Sequence, residues 1–278
     1  MDIRYNISMV WSGENTLRYS RNILVEEVGE AGQERLFASS ALVVGAGGLG
    51  SPALLYLAAA GIGRIGVIDD DRVDITNLNR QVIHRTDAVG QWKADSAAAA
   101  LRTFRPDLAV DVYPEALTAA NAVALFRAYD AIVDGSDNFS TKYLCNDAAV
   151  VARRPLIHAG VLRFGGQMLT VVPGEGPCLR CVIPRIPSRK DSPGCAEAGI
   201  VGAAAGVVGA WQAMEAIKLL SGAAPSPTGK LLTIDTLSNE VSSLAVVRDR
   251  SCPVCGDHPR ITEPLSAAEY DRDRICIG

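Results

Sequence analysis

Apolar runs recur through the first half of the chain, each bounded by charged or small residues. "SALVVGAG" (40–47), "RIGVIDDD" (64–71) and "YDAIVDGSDN" (129–138) hold unbroken Val, Ile and Leu positions instead of a polar–apolar alternation. Such runs belong to strands covered on both faces. Helix-like segments lie between them, Ser51–Ala60 and Ala119–Arg127. The alternation predicts a parallel sheet with helices on both faces. Beyond Pro155 the stretches "PLIHAG", "GGQMLTVV" and "KLLTIDTL" read as further strands that continue or flank that sheet. Nothing resembling a Gly/Ser linker separates two units, so residues 1–260 are expected to form one domain. It would open with a helical arm over about residues 12–38.

Three segments depart from this rhythm. Ile200–Leu220 is apolar over nearly the length of a membrane span, yet carries Glu215 and Lys218 near its end and is rich in Gly and Ala at its start. A buried helix explains it better than a bilayer helix. Residues 182–199, "VIPRIPSRKDSPGCAEAG", hold three prolines and several charges and predict an exposed, mobile crossover loop. Residues 261–278 are charged and weakly patterned, the mark of a loosely held tail.

Composition narrows the class. With 278 residues, 48% of them hydrophobic and 21% charged, the chain can bury a substantial core. A net charge of -4 argues against a broad nucleic-acid surface. The N-terminus lacks the basic start and apolar run of a secretory leader, so a cytoplasmic protein is expected. Seven cysteines include two Cys-x-x-Cys pairs, which in a reducing compartment point to metal before disulfides.

The chemistry begins at "VVGAGGLG". After a strand and before a helix, Gly45, Gly47 and Gly50 permit a tight turn, close approach of a phosphate and close helix packing. Asp69 ends the next strand, where a carboxylate can hold ribose hydroxyls; this fits NAD and ATP equally. "DDDRVDITNLNRQ" then places Asn77 and Arg80 in a polar loop, and "VGQWKADSA" places Lys93 at a helix start. Two cations aimed at one nucleotide suit a triphosphate better than a neutral nicotinamide. Asp137, just past a strand, stands at the sheet edge where a carboxylate would suit Mg²⁺.

"RYSRN", "GAGGLG", "DDDRVDITNLNRQ", "GQWK", "DGSDN", "CLRC", "CAEAG" and "CPVCG" run in one order from about Leu17 to Gly256. That ordered set resembles the ThiF/MoeB/HesA family, the E1-like adenylyltransferases that activate ubiquitin-like sulfur-carrier proteins. The resemblance implies an α/β, Rossmann-like, largely parallel sheet with flanking helices, continued by additional strands and a four-cysteine zinc site. It implies that Gly48 lies against ATP, that Asp69 holds the ribose, that Asn77, Arg80 and Lys93 contact the phosphates, and that Asp137 binds Mg²⁺. Arg21 would reach the phosphates of the neighbouring subunit, which implies a homodimer. Cys178, Cys181, Cys252 and Cys255 would hold Zn²⁺ as a tetrathiolate. The substrate would be a carrier with a C-terminal Gly-Gly, adenylated on its carboxylate with release of pyrophosphate. The sulfur donor, a cysteine desulfurase or rhodanese, would be a separate protein.

Cys195, in the crossover loop, is a candidate covalent acceptor, since relatives of the ThiF type use a cysteine there and those of the MoeB type do not need theirs. "CAEAG" and the tail lean toward the MoeB/MoeZ side. Other readings stay open: a related enzyme adenylating a peptide or other carboxylate, an NAD-dependent oxidoreductase, and a non-catalytic E1-like scaffold. His84, His158 and His258 receive no role.

Overall fold

The computed structural model describes residues 13–187, 199–225 and 228–271. Its centre is a sheet of eight strands: β1 (Ser40–Val44), β2 (Arg64–Ile68), β3 (Ala109–Tyr113), β4 (Ala131–Asp134), β5 (Leu156–Leu162), β6 (Gly165–Val171), β7 (Lys230–Asp235) and β8 (Glu240–Ala245). Their order is β3-β2-β1-β4-β5-β6-β7-β8. The first five strands in that order, β3 to β5, are parallel, and β6, β7 and β8 extend the sheet in antiparallel fashion. The apolar runs of the sequence are the covered strands; β1 and β4 are buried along their whole length.

Helices α1 (Gly13–Ile23) and α2 (Gly29–Ala38) form the N-terminal arm. Tyr19 of α1 is buried edge-on against Phe37 of α2 at 4.9 Å, and Asn22 donates to Gln33 at 3.1 Å. The remaining helices are α3 (Gly50–Ala60), α4 (Lys93–Phe104), α5 (Ala119–Arg127), α6 (Phe139–Ala152), α7 (Leu179–Val182), α8 (Gly202–Ser221) and α9 (Ala267–Asp271). Apolar residues of α3, α4 and α8 pack on one face of the sheet, and those of α5 and α6 on the other. The apolar stretch expected to be a buried helix is α8, and no described helix is long and apolar enough to cross a membrane.

One residue of the stretch expected to form a loosely held tail is anchored on the domain. Tyr270 is buried and its hydroxyl donates to Asp147 of α6 at 2.9 Å. Asp147 also receives both arms of Arg180 at 2.8 Å. One apolar ring in a charged segment is a weak periodic signal but a strong anchor.

Strand order reverses between β1, which continues toward β2, and β4, which continues toward β5. In open α/β sheets such a switch point leaves a crevice beyond the carboxyl ends of the strands. The loops after β1, β2 and β4 all open into it.

Candidate active site

The glycine loop follows β1. Gly45 adopts φ +87, a left-handed conformation, and its amide donates to the Ile68 carbonyl at 2.8 Å. A side chain at Gly50 would strike the Gly45 carbonyl, so the helix α3 starts flush against the turn. Gly47, Gly48 and Leu49 then line a cavity of about 750 Å³ at the switch point. The N-terminal end of α3 adjoins it, with its positive dipole.

Asp69, after β2, lines the cavity and ties two segments together: its carboxylate accepts from the amides of Ala46 at 2.7 Å and Asp71 at 2.8 Å. Burial raises its pKa, opposed by Lys93 and by these amides. The chain from Asp71 to Lys93 closes on itself, with the Lys93 amide donating to the Asp71 carbonyl at 2.9 Å and Arg72 stacked on Trp92 at 3.9 Å. Lys93 is thereby brought to the cavity wall, nearly buried, its ammonium 2.8 Å from Asp71. Arg80 lines the same wall, half-buried, and donates to the Thr76 carbonyl at 3.0 Å. Asn77 ends a short 3-10 turn, Ile75–Asn77, and is not among the residues lining the cavity. Arg21 is exposed on α1 and also lies outside that lining.

After β4 the sequence "VDGSDN" divides its two aspartates between different tasks. Asp137 is exposed, lines the cavity and has no hydrogen-bond partner among the described residues. Asp134 is fully buried beneath it. Its carboxylate accepts from the Ser136 amide at 3.0 Å, the Ser136 hydroxyl, His158 Nδ1 at 2.8 Å and Lys142 Nζ at 3.4 Å. Gln212 of α8 donates to the Asp134 carbonyl at 2.8 Å. Burial would raise the Asp134 carboxyl, but Lys142, His158 and Ser136 outweigh it and hold it well below the usual carboxylate range. Lys142, Tyr143 and His158 join the cavity lining. Sequence reasoning missed Asp134, Lys142, Tyr143, His158 and the glutamine Gln81, which also lines it. The only local signal was the doubled aspartate, since the partners come from β5, α6 and α8.

The two described histidines near the cavity are both neutral supports. His84 Nε2 donates to the Ala46 carbonyl at 2.9 Å, and its Nδ1 lies 3.0 Å from the Ser96 hydroxyl. Burial lowers the pKa of both His84 and His158, partly offset at His158 by Asp134. The unfolded chain therefore binds more protons than the folded one below the ordinary histidine value near 6.5. Stability should fall with falling pH through that window, by up to about 1.4 kcal/mol per pH unit for each histidine. Asp69, whose carboxyl is raised, works in the opposite sense, and only across its own titration range. Thermal melts from pH 7.5 down to 5.5 check this, and a flat midpoint over that range would contradict neutral burial.

The four paired cysteines converge. Cys178, Cys181, Cys252 and Cys255 place their sulfurs within 4.8 Å of one another. Measured pairs stand at 4.0, 3.6 and 3.3 Å. A tetrahedral zinc with Zn–S bonds near 2.3 Å would set sulfurs about 3.8 Å apart. The cluster can hold a metal ion, and its donors are those zinc selects. Hydrogen bonding within the cluster splits the four thiols, lowering Cys181 and Cys252 and raising Cys178 and Cys255. The cluster is braced from α6: Asn146 accepts from the Leu179 amide at 2.8 Å, and Arg180 lies over the Tyr143 ring at 4.9 Å. The Tyr143 hydroxyl in turn sits 2.7 and 2.9 Å from the carbonyls of Ile183 and Arg185, at the base of the crossover loop. Cys195 lies outside the described residues.

A glycine loop, a ribose-type carboxylate, three cations (Arg80, Lys93 and Lys142) lining one cavity and an aspartate without a partner among the described residues, all at a switch point, define a nucleotide-binding α/β protein with a metal-type cysteine cluster. The chain belongs to the ThiF family, whose pattern it matches over residues 19–254. It is 46% identical over 256 residues to a sulfur carrier protein adenylyltransferase of Thermus thermophilus, covering 90% of this chain and 94% of that protein. It is 44% identical to the SAMP-activating enzyme E1 of Haloferax volcanii, covering 86% and 88%. The bovine adenylyltransferase and sulfurtransferase MOCS3 is 46% identical over 91% of this chain, which spans 56% of that longer protein. Among solved structures, E. coli MccB with ATP superposes with a TM-score of 0.73 at 25% identity, over 86% of this chain and 74% of its own.

Proposed function

We propose that this protein is an ATP-dependent adenylyltransferase that activates the C-terminal glycine carboxylate of a ubiquitin-like sulfur-carrier protein. The observation that carries the reading is the pairing of cavity cations, Arg80 and Lys93, with a free Asp137 across one switch-point crevice. The carrier carboxylate, ionised at neutral pH, attacks the α-phosphorus; the acyl-adenylate forms and pyrophosphate leaves. Little proton transfer is needed, so catalysis rests on positioning and on charge neutralisation.

Asp69 has accepting capacity left beyond its two amide bonds and serves the ribose. Arg80 and Lys93 neutralise the departing phosphates, Asn77 shaping the turn that presents Arg80. Among the described residues Asp137 is the one cavity carboxylate without a partner, and it could hold Mg²⁺, which would offset charge on the triphosphate. Arg21, exposed and away from its own cavity, fits a finger serving a second copy, so the active form is a homodimer with composite sites. Zn²⁺ in the cysteine cluster would be structural, fixing the base of the crossover loop through α7. Cys195 is a candidate acyl acceptor downstream.

The names of the Thermus and Haloferax relatives support a protein carrier over a small acid. A nicotinamide-dependent oxidoreductase would leave Arg80, Lys93 and the cysteine cluster idle. Incubation with ATP and Gly-Gly-ending carriers, followed by intact mass of the carrier, should show an added AMP that hydroxylamine removes. A carrier mass that stays unchanged across the ubiquitin-like proteins of the same organism would refute the reading.

A further inference from the structure

The cavity extends past the nucleotide end. From β1 and β2, with the glycine loop and Asp69, it crosses β4 to Gly160 on β5, Gly166 on β6 and Ile234 on β7. At the crossing, where the two reactants must meet, stands the buried group beneath Asp137. His158 is 3% exposed, on β5. Its Nδ1 faces the Asp134 carboxylate at 2.8 Å, which can only accept, so that nitrogen carries the proton. Nε2 is then a lone-pair acceptor. It has no hydrogen-bond partner among the described residues, and His158 lines the cavity.

Lys142 stands beside it. Its ammonium spends two N–H groups on Asp134 and on the Ala159 carbonyl and keeps a third, and it too lines the cavity. The floor thus offers one acceptor and one donor side by side. In an extended tail the N–H and the carboxylate of the terminal glycine point to the same side, because the N–H and C=O of one trans peptide group face opposite ways, and this pair is the matching complement; a free acid presents acceptors alone and would face the His158 lone pair unfavourably.

We propose that His158 Nε2 and Lys142 together read the terminal glycine of the incoming tail: His158 accepts its N–H and Lys142 donates to its carboxylate. This rests on the carrier-activating function above and explains why that site selects a peptide-linked glycine over a free acid. The same carboxylate then lies beside Asp137 and faces the glycine loop. His158 is a substrate-contacting residue whose orientation is fixed by Asp134.

Two substitutions separate contact from architecture. His158→Asn keeps a donor where Nδ1 stands, toward Asp134, but removes the acceptor at Nε2; His158→Gln does the reverse. Carrier-dependent ATP–pyrophosphate exchange is measured with the Gly-Gly-ending carrier that the wild-type protein adenylates. His158→Asn should raise the KM for the carrier about tenfold, the scale of one buried hydrogen bond, with the KM for ATP unchanged. His158→Gln, which keeps the acceptor, should recover most of the carrier-KM loss that His158→Asn shows. A purely structural role for His158 predicts the opposite ranking.

The same carrier with its terminal amide replaced by an ester, prepared by ligation, probes the unaltered enzyme and does not depend on how the variants fold. It should lose as much against wild type as His158→Asn loses, and nothing further against His158→Asn. Equal use of ester and amide tails, or an unchanged carrier KM in His158→Asn, overturns the inference while leaving adenylation intact. Failure of the wild-type protein to adenylate any Gly-Gly-ending carrier would overturn the functional reading, and this inference with it.

Discussion

Asp137→Ala should lower carrier-dependent ATP–pyrophosphate exchange by about 100-fold or more while leaving the melting temperature unchanged. Removal of a single preorganised electrostatic contact at the point of developing charge costs on that scale. The fold should not notice, because Asp137 is exposed and has no hydrogen-bond partner among the described residues. Asp134→Ala, three residues earlier, should do the converse. It strips the counter-charge from buried Lys142 and the acceptor from His158 and Ser136. Breaking a buried pair by deleting one partner costs about 3–5 kcal/mol, so that protein should lose stability before any kinetic effect can be assigned. Exchange assays beside melts distinguish the two. A folded Asp137→Ala protein with most of its activity would remove that carboxylate from the mechanism.

This division between neighbouring aspartates shows what the sequence carries and what it hides. Asp69 and Lys93 were legible because each follows or opens an element whose pattern is local: an unbroken apolar strand, a helix with the lysine at its first turn. The covered strands β1, β2, β4 and β5 were legible for the same reason. The edge strands β3 and β8 were not: every residue of β8 is exposed, so no burial pattern marks it. Asp134 was hidden because its role is set by His158, 24 residues on, and by Gln212, 78 residues on. Tyr270 likewise gains its meaning from Asp147, 123 residues away. The cysteine pairs are the informative exception. They stand 74 residues apart and still announced each other, because four thiols in two short pairs have few alternative uses. Arg21 shows the reverse limit, for its resemblance-based role needs a second chain.

Mixing two inactive proteins, Arg21→Ala and Lys93→Ala, should therefore restore activity. If Arg21 serves the neighbouring subunit's cavity and Lys93 its own, a mixed dimer holds one site with neither cation and one with both. Random exchange makes half the dimers mixed, and each of these has one intact site of two, so recovery should approach about one quarter of wild-type exchange activity. The physical case begins with placement: α1 sets Arg21 exposed and outside the lining of its own cavity, whereas Lys93 is nearly buried in that lining beside Asp71. Each variant should be folded, although Lys93→Ala leaves Asp71 without its partner; that carboxylate is 69% exposed and can be rehydrated. Subunit exchange is verified with differently tagged chains, and activity is followed as a function of mixing ratio, with a maximum expected at equal amounts. Exchange without recovery would place Arg21 in its own subunit or outside the reaction, and the composite site would have to be abandoned.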